Sequence, residues 1–236
     1  MQIQIKQVLK KVGKALLLGL IGYFLLISLL LLIFRWIPVP TSSFMVQQNI
    51  SAWLNSKNNS TVRYEWMEWK ALPKTAALAV VAAEDQHFPH HYGFDFRAIR
   101  VALFEHRKKK RGASTITQQT VKNLFLWSGR SYFRKGLEAS ITVLMELFWS
   151  KRRILEVYLN IAQFSQRDYG VKAANDNLIK RDLNKLSASN AALLAAVLPA
   201  PSFYNLKKPN NKLLKKQRWI RKQMRQLGGI QYLENL

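Results

Sequence analysis

Glu84 and Asp85 close a run of small apolar residues, 78–83, in a chain that has only 13 acidic residues against 37 basic ones. A carboxylate at the C-terminal end of a helix faces the negative end of the macrodipole, and apolar neighbours disfavour its charge further. Both effects push Glu84 up towards the range of a general acid or base. The same position also suits an acid that only reaches solvent or pairs with a nearby cation.

Glu138 is the contrasting carboxylate. Arg134 lies four residues before it and Lys135 three, so on a helix both cations share its face and hold it ionised. One labile and one fixed carboxylate make a recognisable acid–base arrangement. The bland alternative for Arg134 and Glu138 is an ordinary ion pair on a helix surface.

Between these carboxylates, 111–123 reads RGASTITQQTVKN. Ser114, Thr115, Thr117, Gln118, Gln119, Lys122 and Asn123 crowd hydrogen-bonding groups together, the inventory needed to hold sugars and phosphate oxygens. The stretch reads as a substrate-gripping loop and not as a packed segment. Within it, Gln118 and Lys122, and likewise Gln119 and Asn123, are spaced to project from adjacent faces of one turn. Lys122 and Arg134 together suit a diphosphate, on whose leaving oxygens charge builds during group transfer. His87, His90 and His91 lack the helical spacing of a zinc-binding pair, so no metal site is assigned and local turn packing is expected.

The elements that must position these groups are mostly helices. Periodicity predicts a buried helix over 76–83 and others over 96–106, capped by Asp95, and 132–149, capped by Ser131. Ser150 starts the next, and Ser187 the one over 191–198, which Pro199 and Pro201 end. A basic helix over 211–227 stops at Gly228 and Gly229. Alternation at Val62, Tyr64 and Trp66 predicts a short strand in a small hairpin arm.

Residues 15–34 carry no charge, and about 20 apolar residues cross a bilayer core. The run is longer than a signal-peptide core and no small-x-small cleavage site follows. Lys6, Lys10, Lys11 and Lys14 precede it and Arg35 alone follows closely, which leaves the N-terminus in the cytoplasm. The expected division is a cytoplasmic basic segment 1–14, a membrane helix 15–35, a linker 36–60 and an extracytoplasmic domain 61–236. The chain has no cysteine, which excludes disulfides and thiolate metal sites. Its net charge of +24 calls for an anionic partner. Outside a membrane that means lipid headgroups and lipid-linked diphosphates more than nucleic acid. Two basic clusters stand out, 107–111 and the nine Lys/Arg from Lys207 to Arg225.

Five ordered motifs resemble those of the peptidoglycan glycosyltransferases. They are Glu84-Asp85-x-x-Phe88-x-x-His91-x-Gly93-x-Asp95; Gly112 to Gln119 with Lys122 and Asn123; Arg134-Lys135-x-x-Glu138 with Lys151-x-x-Ile154-Leu155-Glu156-x-Tyr158-Leu159-Asn160; Tyr169-Gly170-x-x-Ala173-Ala174; and Leu193 to Pro201. The resemblance implies a mainly α, lysozyme-like domain on one N-terminal transmembrane helix. It further implies polymerisation of lipid II into β-1,4 glycan strands, with inversion and release of undecaprenyl diphosphate. Glu84 matches the family's base and Glu138 is assigned to catalysis beside it. Asp85, Ser114, Thr115, Gln118, Gln119, Lys122, Asn123, Arg134 and Lys135 are assigned to the substrate and its diphosphate. A divalent cation such as Mg²⁺ is implied as a cofactor. Implied partners are lipid II, the growing glycan chain, the cell inner membrane and cell-wall synthesis proteins of division or elongation, with the catalytic domain periplasmic. The apolar residues of 36–39 and the surface of Trp66, Met67 and Trp69 would help capture a polyprenyl tail, with packing against the domain the commoner role for such residues. Ser-x-x-Lys and Lys-Thr-Gly transpeptidase motifs are absent, as in monofunctional members of the family.

The chain departs from the family pattern over 163–168, over 175–178 and at Asn190, which touches loops on the acceptor side and spares the catalytic set. Two rival readings stand beside this one. A lysozyme-like hydrolase also uses a glutamate of raised pKa, but needs neither a diphosphate site nor an anchor. A membrane-anchored module that binds anionic polymer or lipid would need no proton acceptor at all.

Overall fold

A computed structural model of the chain describes residues 2–55, 61–104 and 114–236; the basic cluster 107–111 and the start of the second motif lie outside them. The chain divides into two compact units, 1–37 and 38–236. The first is helix α1 (Gln2–Ile33), of which Ile5–Ile33 is long and apolar enough to cross a membrane. The helix runs back through the basic residues placed ahead of the span.

The second unit is built on two helices of small residues. α3 (Lys74–Glu84) buries 76–82, and α9 (Ala188–Val197) buries 191–197; both consist there of Ala, Val and Leu alone. Short side chains let their backbones approach closely, and α10 (Asn211–Gln226) packs on both, burying Leu213, Ile220 and Met224. The second half of the core joins α5 (Ile116–Phe125) to α6 (Tyr132–Phe148) and α7 (Lys151–Ile161). α4 (Phe96–Phe104), the short α8 (Gly170–Ala174) and α2 (Ser43–Leu54) complete the α-helices of this unit among the described residues. Asp95 accepts from Ala98 N at 2.8 Å, Ser131 from Arg134 N at 3.1 Å, and Ser150 and Ser187 from Arg153 N and Asn190 N at 3.2 Å. Each cap sits where the sequence places it, because a short polar side chain there satisfies an orphan N–H.

Two local expectations are corrected. Within 36–60, read as a linker, Ser43–Leu54 is a helix, α2, capped by Ser42 through Met45 N at 3.3 Å. Tertiary bonds hold it: Gln47 Nε2 donates to Leu126 O at 3.1 Å and Gln47 Oε1 accepts from Ser128 N at 3.2 Å. The expected hairpin arm is not a hairpin. β1 (Arg63–Tyr64) pairs in parallel with β2 (Asp168–Tyr169), Arg63 opposite Asp168, and parallel partners cannot be joined by a tight turn. Arg63 seals the pair with two bonds to Asp168 at 2.7 and 2.9 Å.

α7 extends this pairing with side chains. The Asn160 amide accepts from Met67 N at 2.8 Å and donates to Met67 O at 2.9 Å, as a neighbouring strand would, and Glu156 Oε1 accepts from Trp69 N at 2.6 Å. Trp66 and Trp69 lie beneath the cations of Arg153 and Lys74, at 5.0 and 3.8 Å from the ring centres. Gly170, at φ +82°, lets the chain turn so close that an added Cβ would stand 2.4 Å from Asn160 O.

Candidate active site

Glu84 is the last residue of α3, half-buried, and lines a cleft of about 630 Å³ with Ser114, Gln119, Pro199, Lys216 and Trp219. A smaller hollow of about 230 Å³ shares Glu84 and Ser114 with the cleft and is also lined by Asp95, Arg97 and Thr115. Gln119 Nε2 donates to Glu84 Oε2 at 3.0 Å. No cation lies within ion-pairing distance of this carboxylate among the described residues, in a protein of 37 cations.

Glu138 is arranged oppositely. It is 2 % exposed, with Oε2 accepting from Arg134 Nη1 at 2.6 Å and Oε1 from Lys135 Nζ. Lys135 also reaches Ser114 Oγ at 3.3 Å, and Ser114 lines the cleft beside Glu84. Lys122 is half-buried, 5.5 Å from the centre of the Phe44 ring on α2. Burial lowers its pKa, Glu138 opposes that, Arg134 and Lys135 add to it, and Glu84 opposes it weakly. Lys122 therefore stands within electrostatic reach of both carboxylates. An anion entering beside Ser114 would meet three cations, only two of them paired with Glu138.

The sequence profile of the transglycosylase family matches residues 49–225. The chain belongs to the transglycosylase family. Curated members include the biosynthetic peptidoglycan transglycosylase of Chromohalobacter salexigens, 46 % identical over 94 % of this chain and 95 % of that protein. The protein of the same name from Yersinia pseudotuberculosis is 47 % identical over 92 % of this chain and 91 % of its own.

In this transglycosylase the stretch read as a loop is largely helix. From Ile116 onward it is α5, with Ile116, Thr117, Gln118, Thr120, Val121 and Leu124 buried. Its polar groups are buried because they are satisfied inside: Thr117 donates to Glu146 at 2.5 Å, and Thr120 to Ile116 O at 2.8 Å. Thr115 and Gln118, assigned to substrate, form a reciprocal cap. Thr115 Oγ1 accepts from Gln118 N at 3.2 Å while Gln118 Oε1 accepts from Thr115 N at 3.1 Å. Thr115 also donates to Gly93 O at 2.7 Å.

Asp85, 6 % exposed, turns inward as well. It accepts from Ile116 N at 3.0 Å, at the start of α5, and meets His91 Nε2 at 3.0 and 3.1 Å. Its charge steadies the positive end of that helix and fixes α5 against α3. Of the expected set, Glu84, Ser114 and Gln119 line the cleft together with Asp85, whose two oxygens are already taken, and Lys122, Arg134, Lys135 and Glu138 gather beside it. Asn123 is half-buried on α5 and lies outside the cleft lining.

Three contributors had no site role assigned from the sequence, although Tyr158 stands in the third motif. Lys216 and Trp219 bring α10 into the cleft wall, and burial lowers the pKa of Lys216 while Glu84 raises it. Among nine basic residues of one segment nothing local distinguishes Lys216; only the packing of α10 on α3 does. The third is Tyr158, whose hydroxyl donates to Gln119 Oε1 at 3.0 Å.

Proposed function

We propose that this transglycosylase polymerises lipid II into β-1,4-linked glycan strands, with Glu84 as general base. The observation that carries the reading is a cleft-lining carboxylate without a cationic partner among the described residues, beside a cluster of cations held by a second carboxylate. The name borne by the curated relatives, biosynthetic peptidoglycan transglycosylase, supports the substrate class.

In the reaction, the acceptor sugar's 4-hydroxyl passes its proton to Glu84 as its oxygen attacks the donor anomeric carbon. The bond from that carbon to the diphosphate oxygen breaks, and the electron pair leaves with undecaprenyl diphosphate. A single displacement inverts the donor carbon. Gln119 holds one oxygen of Glu84, leaving the other for the hydroxyl. Lys122, Arg134 and Lys135 offset the charge that grows on the diphosphate, where fixed cations lower the barrier most. Ser114, held by Lys135, bridges the two halves of the site.

The implied Mg²⁺ does not fit a protein-built site. Among the described residues no three metal-binding side chains gather, and Glu138 and Asp85 already spend both oxygens on protein partners. Such an ion would arrive on the substrate diphosphate, and no step here passes through it. α1 and the lysines of 1–14 support a single-pass anchor in the cell inner membrane with residues 61–236 as the periplasmic catalytic domain.

The test is lipid II with detergent-solubilised protein and its Glu84→Gln variant, with glycan chains separated on a gel. Polymer from the wild type and a loss of about a hundred- to ten-thousand-fold in the variant are expected. Equal polymer from both would remove Glu84 from the mechanism, and soluble fragments released from insoluble peptidoglycan would favour hydrolysis.

A further inference from the structure

We infer that Tyr158 is a positioning residue for Glu84, acting through the side-chain amide of Gln119. The inference rests on the reading of Glu84 as the base. Three helices meet in one chain of hydrogen bonds: the Tyr158 hydroxyl on α7 donates to Gln119 Oε1 at 3.0 Å, and Gln119 Nε2 on α5 donates to Glu84 Oε2 at 3.0 Å on α3.

An amide side chain has an accepting and a donating end, and nothing in the glutamine itself decides which faces a carboxylate. Tyr158 decides it. The side chain is 1 % exposed, and burial first, then the charges of Glu84 and Asp85, hold its hydroxyl protonated far above the usual phenol range. A hydroxyl that keeps its proton occupies the carbonyl end of Gln119. The reversed amide would set a carbonyl oxygen against the Glu84 carboxylate with no proton between them.

Tyr158 does not line the cleft. Its effect on the reaction therefore passes through Gln119, which donates to one carboxylate oxygen of Glu84 and leaves the other for the acceptor.

The experiment measures kcat and KM on lipid II across about pH 5 to 9 for the wild type, Tyr158→Phe, Gln119→Leu, the double variant and Glu84→Gln. Tyr158→Phe keeps the packed ring and loses only the hydroxyl. Expected is a fall in kcat of about tenfold, the scale of one buried hydrogen bond, with KM nearly unchanged. The acid limb of the kcat profile should move to higher pH, as a less stabilised carboxylate protonates sooner. The double variant should be no worse than Gln119→Leu alone, because both changes break one chain.

An unmoved acid limb in folded Tyr158→Phe, or additive losses in the double variant, would overturn the inference. Should circular dichroism show that Tyr158→Phe does not fold, Gln119→Leu decides alone. An unmoved limb there closes the route from Tyr158 to Glu84, and a limb shifted upward upholds it. Full activity of Glu84→Gln would overturn the reading of the base itself, which is a separate result.

Discussion

Arg134 Nη1 donates to Glu138 Oε2 at 2.6 Å, between side chains only 11 % and 3 % exposed. A surface pair of this spacing is worth little, but here the carboxylate is enclosed and shared with Lys135. Glu138→Gln keeps the shape and removes the charge, leaving Arg134 and Lys135 unneutralised beside Lys122. The variant should melt below the wild type. Inorganic pyrophosphate should raise its melting temperature more than that of the wild type, because an anion that binds the folded state restores the missing charge. Thermal melts with and without pyrophosphate check this.

Lys122 carries the opposite balance. Its pKa is lowered, chiefly by burial, so the unfolded chain binds that proton more tightly than the folded one. Its charge is therefore a cost at neutral pH, and stability is regained as pH rises from the folded pKa towards the unfolded one. Lys122→Met should raise the melting temperature at pH 7 and lose that advantage in alkali. It should also lower polymerisation about a hundredfold, the scale of one group aimed at developing charge. Paired melting and activity measurements separate the two effects.

Gly93 and Gly170 both adopt positive φ, +78° and +82°. Alanine at either should cost at least about 1 kcal/mol from backbone strain alone. At Gly93 the added carbon meets the Thr142 methyl at 2.5 Å, a side chain that can shift a little, whereas at Gly170 it meets the Asn160 carbonyl at 2.4 Å, which cannot. Urea unfolding should rank Gly170→Ala as the more damaging.

Asn160 imitates a strand for Met67. Asn160→Leu removes both bonds and leaves a backbone N–H and C=O without partners, a loss of about 2–3 kcal/mol. Limited proteolysis should then cut first within 61–72, the segment those bonds hold.

The helical core was open to reading because its signals are local. Ser131, Ser150, Ser187 and Asp95 cap helices at the positions their sequence spacing gives, and the small-residue runs of α3 and α9 are buried as their composition demands. α2 was hidden because its helix depends on Gln47 reaching Leu126 and Ser128 across 79 and 81 residues. β1 was legible as a strand, but its partner lies 105 residues away, and no local pattern specifies a parallel pairing at that range.

By itself the sequence determined which groups the site contains: a glutamate ending an apolar helix, a second one flanked by Arg134 and Lys135, and a dense polar stretch between them. Residue type and helical spacing suffice for that, since i, i+3 and i, i+4 neighbours meet whatever the fold. Only the tertiary structure decided which polar groups face the cleft and which are spent inside. Thr115 and Asp85 carry polar oxygens like Ser114 and Gln119, and theirs are spent inside because Gly93 O and the N-terminus of α5 are brought to them from 22 and 31 residues away, whereas Gln118 is spent locally on Thr115. Lys216 and Tyr158 reach the site for the same reason: α10 packs on α3 and α9, and α7 on α5, and those packings belong to the whole core and to no single segment.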